Sequence, residues 1–271
     1  MRLCRTAAVV VVVSAALATL ALPGRVARAA DTVSLAAHTA QYKLTLDSSR
    51  RGDGAAAGGT MAYEITDACD GWATRQRLQM TITNRDGQDI EMVSDYATWE
   101  SKDGLQLRFR MRQTTDTAVS EVVEGTATLP ATGAPGTVAY TVPEAKQAVL
   151  PAGTVFPMMH TAAIIAAAEA GKRFVAIPIF DGTGDEGAQD SSVVITGWNP
   201  PSASAYPTLA ALPSGRVRVA FYDRTKAAQN PDYEVGMRYW SNGVADDLQM
   251  DFSDFVMQGS LSELTLPPSG C

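Results

Sequence analysis

Apolar and polar residues alternate with a period of two along much of the chain. Tyr42, Leu44 and Leu46 alternate with Lys43 and Thr45, and Met61, Tyr63 and Ile65 with Ala62 and Glu64. Trp72 opens a longer run in which Leu78, Met80 and Ile82 share one face, while Arg75, Arg77, Gln79 and Thr81 share the other. Leu105, Leu107, Phe109 and Met111 alternate with Gln106, Arg108, Arg110 and Arg112. The pattern returns at Val217–Phe221, Val235–Tyr239 and Leu248–Phe252, with a last strand near Phe255–Leu266. Successive side chains of a strand point to opposite faces, so this alternation predicts strands with one buried and one wet face. Turn signals separate them at Asp70-Gly71, Asn84-Arg85-Asp86-Gly87, Lys102-Asp103-Gly104 and Ser241-Asn242-Gly243. Such residues accept positive φ or bond their own backbone, which joins neighbouring antiparallel strands. About thirteen strands are expected, enough for a barrel, a sandwich or a curled sheet.

One segment has another period. Pro157 to Ala170 is rich in alanine, starts on Pro and is followed by Gly171, Lys172 and Arg173. Proline suits a first helical turn, alanine its interior, glycine its C-terminal cap and cations its C-terminal end. A short helix is therefore expected there. Met158, Met159, Ile164 and Ile165, with the alanines, give it a broad apolar surface that must bury against the sheet. It serves either as a lid over a ligand cavity or as a filler of the core. The proline-rich stretch Asn199–Pro213 and the segment Thr126–Pro135 are expected to be loops, and no internal repeat or domain boundary is visible.

Residues 1–29 read as a cleavable export signal. Arg2 and Arg5 precede an apolar run from Ala7 to Leu22, and Val26-Ala27-Arg28-Ala29 supplies a small-x-small cleavage site. The run falls short of the roughly 20 residues that span a bilayer, and no later stretch is long and apolar enough. The expected organisation is a leader over 1–29, then one domain over 30–271 with no membrane span. Cys4 precedes the apolar run, so it cannot be a lipidated cysteine at the cleavage point.

Composition and charge sharpen this picture. The chain has 271 residues, formal net charge −7, two histidines and three cysteines. Loss of residues 1–29 removes Arg2, Arg5, Arg25 and Arg28 and no acid, which shifts the charge of −7 down by four. So acidic a chain argues against nucleic acid, whose phosphates need clustered cations. The same loss leaves Cys69 and Cys271. An even count in an oxidising compartment favours a disulfide, and only one pairing exists; two free thiols are the alternative. Closing so long a loop stabilises by at most about 5 kcal/mol.

Catalytic patterns are sparse. The only Gly-Lys pair, Gly171-Lys172, lacks the remainder of a phosphate-binding loop, and no Gly-x-Ser-x-Gly elbow occurs. His38 and His160 are the only candidate bases, and each reads as structural. Asp181-Gly182-Thr183-Gly184-Asp185-Glu186-Gly187 misses the calcium-loop pattern at Thr183 and reads as a solvated hairpin tip. Asp181, Asp185, Asp246, Asp247 and Glu263 are the carboxylates that an alternative reading as a hydrolase would use.

Five segments, in order, carry a resemblance. They are Leu35-Ala36-Ala37-His38 to Leu44, Met61-Ala62-Tyr63-Glu64 running to Cys69-Asp70-Gly71-Trp72, and Leu150-Pro151-Ala152-Gly153-Thr154 to His160. Phe180-Asp181-Gly182 and Leu264 to Cys271 complete the set. Together they resemble the cell envelope integrity protein EipB family, over nearly all of residues 30–271. The resemblance implies a periplasmic protein of Gram-negative, typically alphaproteobacterial, cells. It implies an all-β antiparallel β-spiral or partly open barrel with one short helix, and a disulfide on Cys69 and Cys271. It implies a role in maintaining the envelope under stress, with no catalytic residue, metal or cofactor. The spiral is similar to that of periplasmic lipoprotein carriers, which by fold analogy implies a lipid, lipoprotein or protein partner. A non-enzymatic binding protein is thus the expectation, with carboxylate hydrolysis as the alternative.

Overall fold

The computed structural model describes residues 33–47, 54–84, 86–225, 230–252, 255–268 and 271. The leader read into residues 1–29 lies outside them. Among the described residues fourteen strands form. They are β1 (His38–Leu46), β2 (Gly54–Asp67), β3 (Gly71–Asn84), β4 (Asp89–Ser101), β5 (Gln106–Thr115), β6 (Ala118–Thr128), β7 (Gly136–Val142) and β8 (Lys146–Leu150). After the helix α1 (Pro157–Glu169) come β9 (Phe174–Ile179), β10 (Gln189–Ile195), β11 (Ser214–Asp223), β12 (Tyr233–Trp240), β13 (Ala245–Asp251) and β14 (Val256–Thr265).

All fourteen strands lie in one sheet, ordered β8-β7-β6-β5-β4-β3-β2-β1-β14-β13-β12-β11-β10-β9. Every strand pair in it is antiparallel. The sheet is therefore two meanders joined at one seam, where β1 meets β14 with Ala40 opposite Leu264 and Leu44 opposite Gly259. Its two open edges, β8 and β9, are consecutive in sequence, and α1 carries the chain from one to the other. Just before α1, Val155 donates its N–H to Pro178 O at 3.0 Å and accepts from Phe180 N–H at 3.0 Å. That single bridge ties the chain leaving β8 to the end of β9. Thr126–Pro135 is a loop only from residue 129 onward, because Thr126 and Thr128 pair with β5 and β7 and complete β6.

Period-two alternation aims one face of this sheet inward. On β5, Leu107, Phe109 and Met111 are buried, and Arg108, Arg110 and Arg112 are exposed. Two large apolar clusters result, beside a small third one of Leu209, Trp240 and Val244. One joins Ala40, Tyr42 and Leu44 of β1 to Val193, Val219, Met237 and Met250 across the seam, with Ile164, Ala167 and Ala168 of α1 packed among them. The other joins Leu107, Phe109, Val138, Tyr140 and Leu150 to Phe156 and Phe180, which flank the helix and β9. Burying such a side chain stabilises by about 1.5–3 kcal/mol before chain entropy is counted. The Phe109 ring meets Phe180 at 5.3 Å and Tyr140 at 5.8 Å, both edge-to-face.

The helix ends where its sequence says it should. Gly171 has φ +73°, its N–H bonds Ala168 O at 3.0 Å, and Lys172 N–H bonds Ala167 O at 2.9 Å. That is the paired-bond glycine cap, which satisfies carbonyls left over at a helix end. The helix start is different. Phe156 occupies the N-cap position and supplies no side-chain cap, and the first turn contains no acid.

Candidate functional site: a cavity beneath the helix

A cavity of about 550 Å³ lies between the inward face of the sheet and the N-terminal half of α1. Strand alternation builds its walls. Met61 and Tyr63 come from β2, Tyr96 and Thr98 from β4, and every second residue of β12 from Tyr233 to Tyr239. Pro157, Met158, His160 and Thr161 cover it. The size falls within the roughly 300–1,000 Å³ of small-molecule sites.

Two of its five tyrosines spend their hydroxyls on backbone. Tyr42 donates to Ala245 O at 2.7 Å, and Tyr96 donates to Asp181 O. Tyr239 shares a hydrogen bond with Thr161 of the helix. Tyr63 and Tyr233 line the cavity with hydroxyls that have no hydrogen-bond partner among the described residues. The cavity thus combines thioether, aliphatic and aromatic walls with two available phenol donors and a polar side that includes Gln76, Gln113, Glu121 and Gln189.

Two buried polar residues fix the helix over it. Glu100, on the inward face of β4, is 1% exposed. Its Oε2 accepts the N–H of Met158 at 2.7 Å and its Oε1 that of Met159 at 2.9 Å. A carboxylate from another strand therefore caps the helix that lacks a cap of its own, where the helix dipole favours negative charge. Burial pushes its pKa up to about 7, against the pull of the two N–H groups. His160 donates from Nε2 to Ser191 Oγ at 2.8 Å, and Ser191 donates onward to Ile177 O at 2.7 Å. Burial lowers the His160 pKa to about 4, so the ring is neutral. His38 at the start of β1 donates from Nδ1 to Ala36 O at 2.9 Å. Both histidines hold backbone or helix in place.

The helix residues singled out in the sequence divide between two tasks. Met158 lines the cavity, with its sulfur 4.0 Å from Thr74 Oγ1. Met159 points away, 37% exposed, and lies over Gly104. Ile164 and Ile165 are fully buried, Ile164 within the seam cluster. The first half of the helix is a cover and the second half is core. Cys69 and Cys271 stand with Cα atoms 5.4 Å apart, a pair placed for a disulfide. Cys69 occupies the β2–β3 turn with φ 67°, and Asp67 Oδ1 accepts its N–H at 3.0 Å.

The candidate carboxylates do not converge. Asp185 pairs with Lys146, and Asp246 and Asp247 pair with Arg238. Asp181 departs from the solvated tip expected of its loop. Its Oδ1 accepts the N–H and hydroxyl of Thr183, its carbonyl accepts Tyr96, and burial raises its pKa. The turn is drawn inward because Gly182, at φ +75°, lies on the Phe109 ring, where any Cβ would overlap the aromatic carbons. Among the described residues no three His, Cys, Asp or Glu side chains gather as a metal cluster. Sequence reasoning missed Glu100. Its signal was an acid in phase with the inward residues Tyr96 and Thr98, combined with a helix start that had no cap.

Known proteins match this architecture. A family profile described as EipB-like matches residues 29–268. The cell envelope integrity protein EipB of Brucella abortus is 30% identical over 257 residues, covering 90% of this chain and 89% of the relative. A crystal structure of a β-barrel-like protein of a domain of unknown function, also from Brucella abortus, superposes with a TM-score of 0.78 at 28% identity. That match covers 87% of this chain and 99% of the other. The chain belongs to the EipB-like family.

Proposed function

We propose that this protein supports the integrity of the bacterial cell envelope by binding an amphipathic ligand, a lipid or the acylated end of a lipoprotein, in the cavity beneath α1. The observation that carries this reading is the cavity itself: a volume of about 550 Å³ with a largely apolar part of Met61, Met158, Val235, Met237, Leu248 and Met250, and the free hydroxyls of Tyr63 and Tyr233 to meet a polar head. Burying each methylene of such a chain contributes about 0.8 kcal/mol. The relative named a cell envelope integrity protein supports the setting. In this reading residues 1–29 export the chain to the periplasm and are removed. In this reading the protein is a binder rather than an enzyme, which the pairing of Asp185 with Lys146 and of Asp246 and Asp247 with Arg238 supports.

Export would also oxidise the cysteine pair. The disulfide would tie the last residue to the β2–β3 turn across a separation of 202 residues. Cys69→Ser is expected to lower stability by at most about 5 kcal/mol relative to oxidised wild type, read by urea denaturation. Equal stability with and without reductant would rule out that bond. The binding proposal is tested by native mass spectrometry of protein purified from envelopes under mild detergent. A co-purifying mass released on unfolding, and identified as lipid, is the expected result; a bare protein mass alone contradicts it. In cells, a deletion strain should become sensitive to detergents and be rescued by the wild-type gene.

A further inference from the structure

The outward face of the same strands holds a second concavity. A groove of about 500 Å³ crosses β1 to β5, and its basic residues are Arg75, Arg77, Arg110 and Arg112. In a chain of formal net charge −7 this concentration of arginine stands apart. Strand register arranges it in two parallel rows. In one row Arg77 of β3, Asp95 of β4 and Arg112 of β5 are directly opposite one another. In the next row outward along the same face, Arg75, Ala97 and Arg110 take the same places.

The rows differ at their centres. Asp95 accepts both of its bonds from Arg77 Nη1, at 2.6 and 2.8 Å. Ala97 supplies no anion, and it is exposed. Arg75 and Arg110 therefore flank a vacant slot two strand spacings wide, roughly 10 Å between their Cα atoms. Arg75 makes no ion pair among the described residues. Arg110 turns its Nε to Glu124 at 2.9 Å and stays 64% exposed, which leaves the far edge of its guanidinium over the groove. A guanidinium presents its donors in a planar fork that matches a carboxylate.

The geometry points to a docking site for an acidic segment of a protein partner, with one of its carboxylates seated over Ala97 between Arg75 and Arg110 as Asp95 sits between Arg77 and Arg112. The groove spans roughly 20 Å across five strands, the length of about six extended residues. Its surroundings favour a peptide over a membrane. Glu64 and Glu124 close the two ends of the Arg75 row, so its cationic stretch is only three strands wide and fits a single carboxylate rather than an extended anionic surface. Among the described residues the exposed large apolar side chains, Ile90, Val119, Val149, Met159, Phe174 and Val194, all lie outside the groove and offer no lipid-inserting group within it. This site is on the opposite face from the cavity and does not depend on what the cavity holds.

The test is fluorescence anisotropy of a fluorescein-labelled Glu-Ser repeat peptide against full-length exported protein. Wild type is expected to bind in a salt-dependent manner. The double variant Arg75→Ala/Arg110→Ala should weaken binding by about tenfold. Ala97→Asp should weaken it as much with every arginine kept, because its own carboxylate pairs with Arg75 and Arg110 in place of the peptide's. Ala97→Asn, which adds the same bulk without the charge, should bind more tightly than Ala97→Asp; the distant Lys172→Ala/Arg173→Ala control should bind as wild type does, and circular dichroism melts confirm that each variant is folded. Ala97→Asp binding like wild type would overturn the proposal, as would no binding by wild type. Phosphatidylglycerol vesicles captured with the same arginine dependence would overturn the choice of a protein partner.

Discussion

The inward and outward faces of β2–β5 are made by neighbouring residues yet carry different loads. Inward, Leu107, Phe109 and Met111 are sealed against Phe180 and Val138. Outward, one residue away in each case, Arg108, Arg110 and Arg112 stand in solvent, with Arg108 stacked over Trp99 at 4.9 Å. The inward face determines whether the sheet folds, and the outward face determines what it meets. A rigid strand lets the two be altered separately, because side chains on opposite faces share no partners. Within the inward face there is a second contrast. The seam cluster is built from aliphatic, thioether and tyrosine side chains, several of which also wall the cavity, while β4 contributes Ser94, Tyr96, Thr98 and Glu100 to the cavity and its cover. Polarity on an inward face marks where packing gives way to a site.

The largest effect should come from breaking the inward face. Leu107→Ala is expected to cost about 2–5 kcal/mol, read by urea denaturation, while Arg108→Ala on the same strand costs less than about 1 kcal/mol. Comparable losses would erase the contrast. Glu100→Ala should come next, at about 3 kcal/mol, because it strands the buried N–H groups of Met158 and Met159. Hydrogen exchange should then rise first in the opening turn of α1; protection there equal to wild type would refute the cap.

The pH dependence sharpens the same point. The folded-state pKa of Glu100, about 7, lies above its ordinary value of 4.5, so the folded state holds the proton more tightly. Its contribution is full below about 4.5 and is lost as pH rises toward 7. His160, at about 4, lies below its ordinary 6.5, so its contribution is full above about 6.5 and is lost as pH falls toward 4. The two oppose each other across one helix turn. Wild type minus Glu100→Gln stability should therefore fall between pH 4.5 and 7. Wild type minus His160→Asn stability should rise between pH 4 and 6.5. Difference curves of the same sign would contradict these environments. The smallest effect belongs to Arg77→Ala. Its ion pair with Asp95 is half exposed, 50% and 44%, and its loss should cost less than about 1 kcal/mol.

Much of the architecture can be read from local pattern. β5 and β12 follow from alternation, and the end of α1 follows from Gly171, because each depends on residues close in sequence. The seam of β1 on β14 does not, since pairing His38–Leu46 with Val256–Thr265 is a long-range choice that no local period encodes. β4 is hard to read for a chemical reason: its inward residues are polar because they line a cavity and cap a helix. The inward turn at Asp181 was hidden because Phe109, which holds it, is far away in sequence. Met158 was legible as part of an apolar helix surface, whereas Glu100 became visible only when β4 was set beside the helix start. The arginine rows were visible as alternating residues, but the slot over Ala97 exists only through register.

The most direct measurement is a titration of delipidated protein with cis-parinaric acid, whose fluorescence rises on entering an apolar site. Wild type should show saturable binding at one site. Met61→Trp and Val235→Phe, which fill the cavity from two walls, should each abolish that signal in protein that still melts cooperatively, while Arg75→Ala/Arg110→Ala leaves it unchanged. Absence of saturable binding by wild type, or undiminished binding by both cavity-filling variants, would contradict a ligand chain held beneath α1.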